Sequence, residues 1–320
     1  MHLAPLPEVS SEALRAIAAR HGLPVPATVA ESAFTRLPDT GICNAHWLLG
    51  DEYVLRVPRL ALNFARAIRR EVVVVPRVRA VGVRTPAVVA FDDALDLLPV
   101  PYAIYERVRG VSLESLALEP DATPAVWHAA GRDLARLHMG IPRAHPLELL
   151  REEAPSDIRP LAEQRASEGY YGAAEARWLL GWLDRLAPPA LAPIPLRFCH
   201  ADLQMANVMV TCDAAGAATA YAALIDWGDA QWRDPAWDCA GIPLRAAPDV
   251  LAGHREVAPL DGDETAEARV LWRHLHLALA TLERGPQPDH SWAERPLGML
   301  LEIVRFARET TDERWKGWLW

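Results

Sequence analysis

Two short stretches constrain this chain more than any other feature. His200-Ala201-Asp202-Leu203-Gln204-Met205-Ala206-Asn207 has the form H-x-D-x-x-x-x-N, and Asp226-Trp227-Gly228, of the form D-x-G, begins 24 residues after Asp202. The first directly follows the apolar pair Phe198-Cys199 and the second Leu224-Ile225, so each reads as a loop leaving a strand. The fold must therefore deliver a carboxylate, an amide and a second carboxylate from consecutive strand ends.

At 320 residues the chain exceeds the size at which one hydrophobic core keeps growing, so two lobes with a cleft between them are expected. With 51% hydrophobic and 23% charged residues the composition is that of a chain that folds throughout. A formal charge of −9 argues against a general nucleic-acid or anionic-membrane partner, which calls for a basic field. Four cysteines without a C-x-x-C pair, no basic and apolar leader in residues 1–10 and no long uncharged apolar run give the expectation of a cytoplasmic protein.

Periodicity predicts a helix over residues 11–21 and strands over 34–37, 46–49 and 53–57, a small β-meander. Residues 66–79 are read as a helix despite the β-branched run at 72–75, because Glu71 then sits inside it. Strands are expected at 88–91 and 102–105, and helices dominate from 124 onward, beginning with Pro124 at a first turn. The proline-rich stretch 188–195 is read as a turn leading into the strands around the two motifs.

The residue types suit phosphoryl transfer, which needs positioning and charge stabilisation more than covalent chemistry. Asp202 can accept or orient the proton of an attacking hydroxyl. Asn207 and Asp226 offer the hard oxygens that Mg²⁺ prefers. Either motif alone is weak, since D-x-x-x-x-N recurs by chance; their order and placement at two strand ends give them weight. His200 is read as a structural residue bonding the loop backbone.

Together the motifs resemble those of the aminoglycoside phosphotransferase family, which includes macrolide, choline and homoserine kinases, and the likeness covers most of the chain. The family's H-G-D-x-x-x-x-N, I-D-W/F and D-P-x-x-D correspond to the His200 stretch, Ile225-Asp226-Trp227 and Asp234-Pro235-Ala236-Trp237-Asp238. Ala201 departs from the glycine of H-G-D. The resemblance implies an α+β, two-lobed protein-kinase-like fold: a small antiparallel β lobe over 1–110 and a larger, mainly helical lobe over 111–320 that carries catalysis and acceptor binding. It implies Asp202 as the catalytic base, Asn207 and Asp226 as metal ligands, and Mg²⁺ with ATP or GTP as phosphoryl donor. Arg56, in place of the kinase lysine, and its helical partner Glu71 would hold the nucleotide phosphates. Glu106 and Val108, in Tyr105-Glu106-Arg107-Val108, would pair with the purine through their backbone, with Tyr105 at the inner end of that hinge. Thr40-Gly41-Ile42-Cys43-Asn44 falls where the phosphate-covering loop lies, and Asp234 and Asp238 would be structural.

The expected activity is phosphorylation of a hydroxyl on a small molecule, an antibiotic such as an aminoglycoside or macrolide among the candidates. The rival is a catalytically silent kinase-like module that binds a nucleotide or metabolite; the complete Asp202, Asn207 and Asp226 set weighs against it. A metallohydrolase has too few paired histidines to support it. Trp272, His274, His276 and Glu283 fit a core helix as well as an acceptor contact, and Trp315, Trp318 and Trp320 are expected to dock the tail on the helical lobe.

Overall fold

A computed structural model of the chain describes residues 4–24, 34–38, 43–143, 150–213, 216–286 and 295–320. The loop expected at residues 40–44 lies outside the described residues except for Cys43 and Asn44. Two compact units form, one of Met1–Arg109 with Ile225–Ala230, the other of Gly110–Leu224 with Gln231–Trp320. The segment around Asp226, assigned from the sequence to the second lobe, packs with the first unit.

The first unit is built from α1 (Ser11–Arg20), β1 (Phe34–Arg36), β2 (Asn44–Leu49), β3 (Tyr53–Pro58), α2 (Leu62–Ala80), β4 (Val88–Asp92) and β5 (Tyr102–Glu106). Its five strands form one antiparallel sheet in the order β1-β2-β3-β5-β4. Alternation along β3 sends Leu55 and Val57 into a core with Trp47, Tyr102, Ile104 and the α1 residues Leu14 and Ile17, which leaves Arg56 for the opposite face. The β-branched run of α2 is helical because Ala65, Ile68, Glu71, Val75 and Val78, three or four residues apart, form a single buried stripe. Glu71 is thereby committed to the interior.

The second unit contains β6 (Val111–Ser112), α3 (Pro124–Gly140), α4 (Arg159–Ser167), α5 (Ala173–Ala190), β7 (Arg197–Cys199), β8 (Val208–Cys212), β9 (Ala218–Leu224), β10 (Gln231–Arg233), α6 (Ala247–Val257), α7 (Ala266–Thr281), α8 (Gly298–Glu309) and α9 (Glu313–Lys316). Two small sheets, β6-β8-β9 and β10-β7, supply the strand ends for the His200 loop. Pro188 and Pro189 do not form the expected turn but sit in the last turn of α5. Each ring fixes a φ compatible with the helix, and the Leu191 amide still reaches the Ala187 carbonyl at 2.9 Å. Trp272 and His274 are core residues of α7. The tail docks as expected, with Trp315 fully buried, Trp182 Nε1 donating to the Trp318 carbonyl at 2.7 Å and Trp320 edge-on to Trp182. Among the described residues, no helix is long and apolar enough to cross a membrane.

Helices α3 and α6 approach through two glycines. A Cβ at Gly131 would stand 2.0 Å from the Val250 carbonyl oxygen, and one at Gly253 1.9 Å from that of His128. Gly131→Ala and Gly253→Ala should each lower the urea unfolding free energy by about 1–3 kcal/mol through this backbone clash. Gly181→Ala, in α5 with open space at its Cβ, should raise it by about 0.5–1 kcal/mol.

Candidate active site

In the second unit, the end of β7 delivers the loop that begins at His200, and one buried carboxylate organises it. Asp238 accepts hydrogen bonds from the His200 amide (2.9 Å, Oδ2) and the Ala201 amide (2.9 Å, Oδ1). It also accepts from Arg233 (3.0 Å) and from His138 Nε2 (3.0 Å). Burial opposes its charge, but His138 and Arg233 win and hold it well below the ordinary carboxylate range. His200 is fully buried, and its Nδ1 accepts from the Asp202 amide at 3.3 Å. Asp234 caps the 3₁₀ turn Pro235–Ala240, accepting from the Ala236 amide at 2.9 Å and from Arg269 at 2.6 Å.

Within this loop Asn207 and Asp202 meet. Asn207 Nδ2 donates to the Asp202 carbonyl at 2.7 Å and to its Oδ2 at 3.1 Å, and Gln204 Nε2 donates to Oδ1 at 2.6 Å. With its NH₂ committed to Asp202, Asn207 is left its amide oxygen for other partners. Gln204 was not foreseen; its place inside the motif, two residues after Asp202, was the only signal.

In the first unit, β3, α2 and the segment Ile225–Ala230 bring Arg56, Glu71 and Asp226 together. Arg56 donates to Glu71 Oε2 at 2.5 Å and to Asp226 Oδ1 at 2.6 Å, and it is 7% exposed. The Asn44 side-chain oxygen, with its amide oriented to suit, accepts from Arg56 NH2 at 2.7 Å and Nε at 2.9 Å. Glu71 Oε1 also accepts from the Trp227 amide at 3.3 Å, while Trp227 Nε1 donates to Thr85 at 2.9 Å. Burial works against the Arg56 charge, yet Asp226 and Glu71 lift its pKa above the ordinary arginine value. Burial lifts Glu71 above the ordinary carboxylate range; Arg56 pulls it back and Asp226 adds to the rise. The buried Tyr105 hydroxyl lies in the field of the same pair, and desolvation followed by the Glu71 charge pushes its pKa up. Asn44 was read from the sequence as part of a turn, with no sign that it would serve Arg56.

The remaining expected site residues lie at the end of β5. The Glu106 amide donates to the Ala87 carbonyl at 3.0 Å, and its exposed carboxylate accepts from the Ala87 amide at 3.2 Å. Val108 follows outside the strand, half-buried. His138, Cys199 and Asp238 also gather in ligand-like fashion within the second unit. Burial pushes the Cys199 thiol up, Asp238 adds to this, and Sγ is turned to the carbonyls of Arg197, Arg233 and Asp234.

A small antiparallel sheet with one long helix, a larger helical unit and carboxylate-bearing loops at strand ends define the class of kinase-like phosphotransferases. A sequence model of the phosphotransferase enzyme family matches residues 34–248. The chain belongs to that family and is a small-molecule kinase. Comparison with curated proteins gave no match. Among solved structures, the GDP complex of aminoglycoside 2′-phosphotransferase-IIIa superposes with a TM-score of 0.61 at 17% identity, covering 94% of this chain and 100% of the other. A choline/ethanolamine kinase family protein from Mesorhizobium loti gives 0.57 at 16%, covering 96% of each chain. The ternary complex of an aminoglycoside phosphotransferase with streptomycin and ATP gives 0.56 at 15%, covering 96% and 99%. These likenesses establish the α+β protein-kinase-like fold.

Two non-glycine residues at the site adopt left-handed backbone, Ala201 at φ 70° and Asp226 at φ 65°. Ala201→Gly should relieve strain while keeping the amide bond to Asp238, raising the unfolding free energy by about 0.5–1 kcal/mol; a denaturant titration measures it.

Burial also makes the second unit acid-sensitive. His254, whose Nδ1 donates to the Ala258 carbonyl, is held to about 3 by burial and by His138, and His274 to about 4 by burial. Below the ordinary histidine value of about 6.5 the unfolded chain takes up protons that the folded one refuses, so their contribution is complete above that pH and lost as pH falls through it. Between pH 7 and 5 each should cost roughly 2 kcal/mol of stability. Urea titrations at both pH values should show a smaller loss in His274→Phe than in the wild type.

Proposed function

We propose that the protein transfers the γ-phosphoryl group of ATP or GTP to a hydroxyl of a small molecule, with Asp202 as the base. The observation that carries this reading is the clamp of Asn207 and Gln204 on Asp202, which fixes a carboxylate on a loop exit while sparing the Asn207 oxygen. A binding module has no use for a carboxylate positioned in this way.

Asp202 accepts the proton of the attacking hydroxyl or orients its lone pair toward the phosphorus. The two amide donors on its carboxylate fix the direction from which that hydroxyl approaches. Arg56, held by Glu71, Asp226 and Asn44, keeps one guanidinium N–H for a phosphate oxygen of the nucleotide and sets its positive charge beside the phosphates. The backbone at Glu106 and Val108 takes the purine edge. Asn207 and Asp226 offer an amide and a carboxylate oxygen, a donor set that fits Mg²⁺; the ion would neutralise charge on the transferred group. Nucleotide complexes among the similar structures support a nucleotide donor.

Asp202→Ala and Asp202→Asn should lower kcat roughly 10²–10⁴-fold and leave nucleotide affinity nearly unchanged. Coupled turnover with Mg²⁺, ATP or GTP and a panel of aminoglycosides, macrolides and amino alcohols measures kcat, and calorimetry measures affinity. Near-wild-type turnover in either variant refutes the assignment.

A further inference from the structure

Helix α3 sets His138 against His254 of α6 and against Asp238, and none of the three is more than 2% exposed. Their contacts run in series. His254 Nδ1 lies 2.8 Å from the Ala258 carbonyl oxygen, His254 Nε2 lies 3.1 Å from His138 Nδ1, and His138 Nε2 lies 3.0 Å from Asp238 Oδ2.

The acceptors at the two ends of this series fix where the protons lie. A carbonyl oxygen only accepts, so His254 Nδ1 carries a proton. Asp238 faces two amides, Arg233 and His138, an array of donors that keeps it ionised, so the proton of its bond to the ring sits on His138 Nε2. Were both rings neutral, His138 Nδ1 and His254 Nε2 would meet as two bare lone pairs in a buried contact. A further proton belongs between them, which gives the two rings three protons and one positive charge. His254 is the poorer holder of that charge, since burial and then His138 hold its pKa to about 3, whereas His138 touches the carboxylate.

The surroundings suit a cation at His138. Asp234 and Asp261 lie in its field and attract it. Arg233 opposes it, but that guanidinium is shared between Asp238 at 3.0 Å and Glu153 at 3.9 Å. With a proton on each nitrogen, His138 has no lone pair to give a metal in the cluster it forms with Cys199 and Asp238.

We propose that His138 and His254 hold three protons between them at neutral pH, with the imidazolium on His138, and that this charge positions the loop carrying Asp202 by keeping Asp238 ionised beneath the His200 and Ala201 amides. His138 is thus a positioning residue, and His254 the acceptor that keeps its second proton in place.

Two measurements test this without reference to turnover, so failure of the phosphotransferase reading would leave them standing. In protein with ¹⁵N-labelled histidine at pH 7, three of the four ring nitrogens of the pair should bear protons, and a scalar coupling should cross the Nδ1–Nε2 hydrogen bond and vanish in His254→Leu. An unprotonated nitrogen on each ring overturns the proposal. Amide hydrogen exchange then reads the loop. His254→Leu removes the acceptor of the third proton, whereas His254→Gln puts a side-chain oxygen near the place of Nε2; both lose the bond to Ala258. Measured against the α5 amides of Leu183 and Leu186, which report general loosening, exchange at the His200 and Ala201 amides should quicken roughly tenfold or more in His254→Leu and stay within about threefold of the wild type in His254→Gln. Equal quickening in both variants, or none in His254→Leu, overturns the positioning role. Should His254→Leu fail to fold, His138→Gln, which keeps a donor for Asp238 but no charge, takes its place with the same expected quickening.

Discussion

Asp238 has its carboxylate buried in the second unit with donors arriving from the His200 and Ala201 amides, Arg233 and His138. A buried charge of this kind is tolerable only when its acceptor sites are filled. The filling groups are two consecutive backbone amides of the His200 loop, a strand arginine and a helix histidine. Satisfying one charge therefore fixes the exit direction of the loop that carries Asp202. His200 completes the turn from within, and the left-handed backbone at Ala201 follows from aiming two adjacent amides at one carboxylate.

The first unit solves a similar problem with a cation at the centre. Arg56 directs its donors to two carboxylates and an amide oxygen. A lysine at this position would be a single point of charge with three rotatable hydrogens and could not hold those partners in one plane. The same arrangement explains the depth of Glu71, whose second oxygen is occupied by the Trp227 amide rather than by water.

The parts legible in the sequence were those written in periodic or contiguous form. The strands of the meander, the helical stripe through Glu71 and the two motif loops follow from alternation, three-to-four spacing and turn residues. The partner of Asp238 was illegible because it comes from distant sequence, His138 reaching it across 100 residues, while Asn44 reaches Arg56 from the neighbouring strand, where only the pairing of β2 with β3 brings the two together. Pro188 and Pro189 misled because their ring φ suits a helix, so α5 runs through them without their amide bonds and its last turn closes at Leu191.

The membership of Ile225–Ala230 in the first unit has a consequence for the order in which a ribosome builds the protein. Arg56 and Glu71 lie within residues 1–109, whereas Asp226 and the Trp227 amide are made more than a hundred residues later. During that interval Glu71 lacks one of its hydrogen-bond donors and Arg56 one of its carboxylates. The nascent small unit is therefore a sheet whose buried ion pair still lacks two hydrogen-bond partners, and these arrive only after the whole of Gly110–Leu224 has been made. Chain elongation thus sets a lower bound on when Arg56 can gather its full set of partners.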